Sequence, residues 1–171
     1  EETDQSGLPI PEKDKIVVFP GMELTLSVPC QALLLFDADF PDDMFSLVTT
    51  ALAITPSDAC QLRTAQIQRL EINSLDNLKN MLDRHEYLRG KFIIFPNVSE
   101  GGNSTILRSG FANHYRSMPC VGGYVDGNIS QFGKGINDII AGKNKEYGNK
   151  KIAVFQTSDN RRDDHADLGK D

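Results

Sequence analysis

The sequence predicts an α/β fold, a mixed sheet with crossover helices in a single domain. Three observations point to it. Lys91 to Phe155 reads as strand, loop, helix, strand, loop, helix, strand, the alternation that builds parallel sheets with crossover helices. Upstream, Glu23-Leu24-Thr25-Leu26-Ser27-Val28 alternates at period two and Gln31 to Phe36 is a continuous apolar run, which predicts consecutive strands of one sheet. Finally, 171 residues that are 39% hydrophobic and 25% charged suit one globular domain with a single core.

Residues 1 to 15 combine acids, Gly7, Pro9 and Pro11 and read as a flexible lead. The folded domain is expected over residues 16 to 156. Ile16-Val17-Val18-Phe19 is a short apolar strand stopped by Pro20-Gly21, and the two strands up to Phe36 follow. After the acids of 37 to 43, the positions Met44, Phe45, Leu47, Val48, Ala51 and Leu52 recur at helical spacing. Pro41 and its acids suit a helix N-terminus, while β-branched residues between Phe45 and Ile54 make a strand the competing reading.

Leu62 to Ile72 alternates as a strand with one exposed face. Asn73-Ser74 resembles an N-cap, and Leu75, Leu78, Met81, Leu82 and Leu88 form one stripe of a helix ending at Gly90. Lys91 to Pro96 is the next strand. A second helix is expected from about Asn103 to Tyr115, a strand to Val125, and a third helix from Ile129 to Ala141 with Ile129, Phe132, Ile136, Ile139 and Ile140 as its buried face. Gly133 and Gly135 inside that helix disfavour it by roughly 1 kcal/mol each against alanine, which a close backbone approach or a bent first turn would explain. Gly142 to Asn149, charged and glycine-rich, reads as a mobile surface loop, Lys150 to Phe155 closes the unit, and 157 to 171 is a polar tail, disordered or paired with parts of a longer protein.

The net charge of −6 and pI near 5.0, with lysines and arginines scattered along the chain, argue against a nucleic-acid surface. No apolar run approaches a membrane span. Cys30, Cys60 and Cys120 cannot all pair within one chain and show no C-x-x-C spacing, so three free thiols in a cytoplasmic or nuclear protein are expected. Against this stand Asn-x-Ser/Thr sequons at Asn97, Asn103 and Asn128, which make an extracellular glycosylated domain the alternative.

Asp37, Asp39, Asp42 and Asp43 could hold a hard cation, and a metal-dependent hydrolase built on them is the second alternative; a solvated turn that caps the next helix explains them more simply. His85, His114 and His165 show no metal-ligand spacing. Nothing in the sequence demands a Cys120–His114 pair. Neither a catalytic residue nor a metal or cofactor is therefore expected. The binding residues are expected at the glycine turns: Gly101, Gly102 and Asn103, which would open the second helix, and Gly122, Gly123, Asp126 and Asn128 around the strand that ends near Val125. Loops beyond the carboxyl ends of strands bind ligands in such sheets, and amides freed at helix starts attract anions. The G-x-G-x-x-G fingerprint is absent, so a nucleotide is not indicated.

Phe92-Ile93-Ile94-Phe95-Pro96-Asn97, the Gly101-Gly102-Asn103 turn and Met118-Pro119-Cys120-Val121-Gly122-Gly123-Tyr124-Val125-Asp126-Gly127-Asn128 resemble the centre of the FIST domain, the sensor-like module of bacterial signalling proteins and of an F-box protein. Met22 to Phe36 resembles the strands upstream of that centre, so the likeness spans Ile16 to Phe155. It implies a non-enzymatic recognition domain: substrate recognition for an SCF-type ubiquitin ligase if like the F-box member, or sensing of small molecules such as amino acids if like the bacterial ones. No F-box is recognisable in the chain. A fainter likeness to the amino-terminal domain of Lon proteases fades after Val28. The expected partner is thus a protein or a small-molecule ligand.

Overall fold

Glycine and proline punctuation, more than propensity, decides where the strands begin and end. The computed structural model describes residues 5–8, 17–28, 30–54 and 69–157. β1 (Gly21–Leu26) and β2 (Gln31–Phe36) form an antiparallel hairpin with Met22 opposite Leu34 and Leu24 opposite Ala32. β3 (Arg69–Leu70) lies parallel to β1, and β4 (Phe92–Pro96) runs antiparallel to β2. The sheet order is β3-β1-β2-β4, and β5 (Gly122–Asp126) pairs in parallel with β6 (Ala153–Thr157).

A parallel bridge from Asn97 to Tyr124 joins the two sheets, with the Val98 N–H donating to the Tyr124 carbonyl at 2.8 Å. The Asn97 N–H points the other way, to Gln31. Pro96 shares the orientation of Val98, so the N–H it lacks is the one that would extend the ladder toward β5. The predicted unit is therefore present, with β4, β5 and β6 parallel and a helix in each crossover.

The helix reading of Phe45 to Ala51 prevails over the strand. A 3-10 turn at Asp42–Met44 leads into α1 (Phe45–Ala51), and Phe45 sits edge-on to both Phe36 and Phe40 at 5.5 Å. The β-branched Thr50 returns its hydroxyl to the Ser46 carbonyl at 2.8 Å. In α2 (Leu75–Asp83) the Ser74 side chain accepts from the Asn77 N–H, and Leu75, Leu78 and Leu82 are buried. The helix stops at Asp83, earlier than Gly90, and turns carry the chain on while Leu88 stays in the core. α3 (Ala112–Ser117) and α4 (Lys134–Ile140) occupy the crossovers. Side chains from the four α-helices of the described residues, among them Val48, Leu78, Tyr115 and Ile139, share one core with Leu26, Ala32, Leu34 and Ile94 of the sheet.

Several expectations are corrected. Val17, Val18 and Phe19 form no strand and are 62%, 71% and 58% exposed; Ile16 lies outside the described residues. The second helix starts at Ala112 instead of Asn103. The Ile106 N–H is drawn to the Asn97 carbonyl at 2.9 Å, the Thr105 hydroxyl accepts from Leu107, and Gly110 has a φ of 86°, local bonds that compete with a helix. The third helix is broken, since Phe132 and Gly133 are extended between a 3-10 turn at Ile129–Gln131 and α4, and of its proposed face only Ile139 is fully buried. Gly142 to Asn149 folds as turns around the buried Tyr147, whose ring meets Tyr115 edge-on at 5.4 Å. The strand expected from Leu62 is seen only at Arg69–Leu70, with 62–68 outside the described residues. The lead, apart from an exposed turn at 5–8, and the tail beyond Thr157 also lie outside them.

Candidate functional site

The loops that leave the carboxyl ends of β4 and β5 meet over an open cleft of about 280 Å³, lined by Ser99, Glu100, Asp126, Asn128, Gln131 and Phe132. Its wall is a set of hydrogen bonds between the loops. The Asn97 amide donates to the Asp126 carboxylate at 3.3 Å, and the Asp126 N–H donates to the Ser99 hydroxyl at 3.3 Å. The Thr157 hydroxyl donates to the second Asp126 oxygen at 2.7 Å. Asp126 thus ties the ends of three parallel strands together. Across the cleft the Glu100 carboxylate accepts the Gly133 N–H at 2.6 Å. A Cβ at Gly133 would stand 2.8 Å only from the tip of the exposed Glu100 side chain, which can move aside, and Gly135 faces open space; of the two expected reasons for these glycines, the structure shows the bend, with Phe132 and Gly133 extended.

Of the residues expected to bind, Asp126 and Asn128 line this cleft. Asn128 caps the following turn, its side chain accepting from the Ser130 N–H at 2.8 Å. Gly101 and Gly102 are exposed, with φ of 82° and 85°, and open no helix. Asn103 lines a different cleft, formed with Arg69 and Arg108. Gly122 and Gly123 do not form a turn; they open β5 and are buried. A Cβ on Gly123 would lie 2.7 Å from Val98 Cγ1 and 2.8 Å from the Pro96 carbonyl, and one on Gly122 would lie 2.9 Å from the Phe95 ring. Close strand packing requires the pair.

The expectation of an anion at the start of the third helix is also corrected. The amides there are already satisfied from within, by Glu100 at Gly133, by Asn128 at Ser130 and by the Gln156 side chain at Ile129, 3.1 Å away. With Glu100 and Asp126 in its lining and no lysine or arginine there among the described residues, the cleft presents acceptors and negative charge. It suits a hydrogen-bond donor or a cation. Sequence reasoning overlooked Glu100 and Gln131: Gly133 signalled a bent first turn, but only the fold shows that the break at Phe132–Gly133 meets the loop after β4.

The other candidates are scattered. Asp37, Asp39, Asp42 and Asp43 are exposed, and the described residues contain no group of three or more His, Cys, Asp or Glu placed to hold a metal ion. His114 stacks on Phe111 at 5.3 Å and His85 lies beside Tyr87 at 5.4 Å; no hydrogen bond among the described residues joins His114 to Cys120. Cys30 and Cys120 are free and buried, and burial pushes both thiols up to about 12. Cys60 and His165 lie outside the described residues. Burial, then the hydrogen bond to Glu23, holds the Tyr124 hydroxyl far above its ordinary value, so it remains the donor to Glu23 Oε1 at 2.8 Å. Asn97 is 5% exposed, its side chain engaged by Asp126 and by the Ser99 N–H at 2.8 Å. Among the described residues, no helix is long and apolar enough to cross a membrane.

Comparison of the chain with family models, with curated proteins and with solved structures finds no match.

Proposed function

We propose that the chain is a recognition domain that binds a protein partner or a small ligand over the loops following β4 and β5, without transforming it. The observation that carries this reading is the convergence of these loops on one polar cleft at the carboxyl edge of parallel strands, where α/β sheets bind their ligands. The cleft's carboxylates favour a ligand group that is cationic or rich in N–H donors, such as the side chain of an arginine or lysine. Since both Asp126 oxygens are engaged, by Asn97 and Thr157, whereas Glu100 accepts from Gly133 through one oxygen, Asp126 is assigned the structural part. Glu100 and Gln131, at the rim, make the contact.

The resemblance to the FIST domain supplies a biological setting for this reading. In it the domain would sit in a longer protein and present bound substrates to an SCF-type ubiquitin ligase. Of the three sequon residues on which the extracellular alternative rests, Asn97 is buried while Asn103 and Asn128 are exposed. The hydrolase alternative is weakened by the dispersed, exposed carboxylates of 37 to 43.

The test uses N-acetyl-arginine amide, which offers a guanidinium without a carboxylate. Titrated into the isotopically labelled chain, it is expected to shift the amide resonances of Ser99, Glu100 and Asp126 to Phe132 in a saturable way. Shifts confined to other parts of the surface would reject the proposal.

A further inference from the structure

The segment that follows β4 borders two clefts, and the second has the opposite electrostatic character. Beyond the acidic cleft reached by Ser99 and Glu100, Asn103 and Ser104 line another of about 280 Å³ together with Thr25, Arg69 and Arg108. It contains two guanidinium groups, hydroxyl and amide side chains and, among the described residues, no carboxylate in its lining. In a chain of net charge −6 such a pairing stands out, because cations on an acidic surface ordinarily find acidic neighbours. Here they do not. The ion pairs among the described residues are Lys79–Asp83 and Lys134–Asp138, which leaves both arginines without a carboxylate.

The Arg69 guanidinium is held in place. Arg69 donates through Nε to the Leu26 carbonyl at 3.3 Å and through Nη2 to the Ser27 carbonyl at 3.0 Å. These bonds fix the plane of the fork at the end of β1 and leave its remaining N–H groups open. Arg108 lies over the Phe111 ring, 6.0 Å from its centroid, and makes no side-chain hydrogen bond among the described residues. The backbone beneath is fixed as well, since the Ser104 carbonyl accepts from the Gln31 N–H at 2.8 Å. The nearest acid in sequence, Glu71, has its carboxylate 3.2 Å from the Ser27 hydroxyl, which donates to the Leu70 carbonyl at 2.8 Å, and is not part of the lining.

A planar fork with free N–H groups matches the paired oxygens of a phosphate or carboxylate. Holding the Arg69 fork by two backbone carbonyls lowers the conformational entropy lost when a ligand binds. We propose that this cleft binds the oxyanion group of a small soluble ligand through Arg69 and Arg108, with Ser104 and Asn103 as additional donors. The site is independent of the cationic recognition proposed for the Glu100 cleft, and either can fail without the other.

The experiment titrates the chain with sodium phosphate and, in a separate arm, sodium citrate, against sodium chloride at matched ionic strength and neutral pH. Amide resonances report where the anion binds. The expected result is saturable shifts at Asn103, Ser104 and Arg69, with affinity falling about tenfold in Arg108→Gln, as expected for the loss of one charge-assisted contact. Arg108 is exposed and has no structural hydrogen bond, so this variant keeps the fold. In Arg69→Lys, which retains charge but not the fork, binding is expected to weaken severalfold. Tighter phosphate binding assigns a phosphate group and tighter citrate binding a carboxylate. Shifts that stay linear in both anions, or an affinity unchanged in Arg108→Gln, would overturn the proposal.

Discussion

Substitution of Gly123 by alanine tests the packing that sets β5 against β4. The added Cβ would lie 2.7 Å from Val98 Cγ1 and 2.8 Å from the Pro96 carbonyl oxygen. Val98 is completely buried, so its side chain can move only by displacing core neighbours, and the second obstacle is backbone. Overpacking of this kind destabilises by about 1–3 kcal/mol, and the lack of an easy escape argues for the upper part of that range. The reduced freedom of the unfolded chain returns about 0.4–1 kcal/mol. The net expectation is a loss of about 2 kcal/mol. For a chain of this size that is a fall in Tm of about 4–8 °C, or a urea midpoint lower by about 1 M. Gly135→Ala is the control, because its Cβ meets nothing within 4 Å inside α4 and alanine there favours the helix by about 1 kcal/mol. If Gly123→Ala melts with the wild type, or both variants lose stability alike, the close-approach account of the paired glycines is wrong.

Three more outcomes are expected. Cys30 and Cys120 should resist a thiol reagent in the native protein and react after unfolding, as peptide mapping by mass spectrometry will read; since their native values are raised to about 12 by burial, the unfolded chain sheds these protons first, and stability should fall as pH rises from about 9 toward 12. Ser74→Ala removes the cap on Asn77 and should lower stability by about 1 kcal/mol in urea melts. Ca²⁺ or Mg²⁺ should leave the Tm unchanged, whereas a specific site at a hundred times its Kd would add about 2.7 kcal/mol; a saturable rise lost in Asp39→Asn and Asp42→Asn would reinstate the acidic cluster.

What the sequence revealed follows from the range of the forces involved. Strands at Gln31–Phe36 and Phe92–Pro96 and the capped helix after Ser74 were legible because local pattern and tertiary burial agree there. The mixed sheet and its crossovers followed from the order of these patterns. Helix boundaries failed where a side chain competes for the backbone, as Thr105 does at Leu107 and Glu100 does at Gly133. Val17 to Phe19 had the composition of a strand, yet composition does not supply a partner strand. At the candidate site Asp126 and Asn128 were anticipated from their place after a strand. The paired glycines were misread as a turn, because a glycine required by a neighbouring strand has the same sequence signal as one required by a positive φ. Arg69 and Arg108 were missed because only the fold brings positions so distant in the chain to one cleft.

Recognition of a donor group by the Glu100 cleft is tested most directly by the Kd of N-acetyl-arginine amide for the wild type, Glu100→Gln and the distant control Lys145→Gln. Glu100→Gln keeps an oxygen to accept the Gly133 N–H and removes the charge. Binding is expected to weaken about tenfold in Glu100→Gln, the loss of one charge-assisted hydrogen bond, and to be unaltered in Lys145→Gln. Equal affinity in all three proteins, each with a cooperative melt, would contradict it.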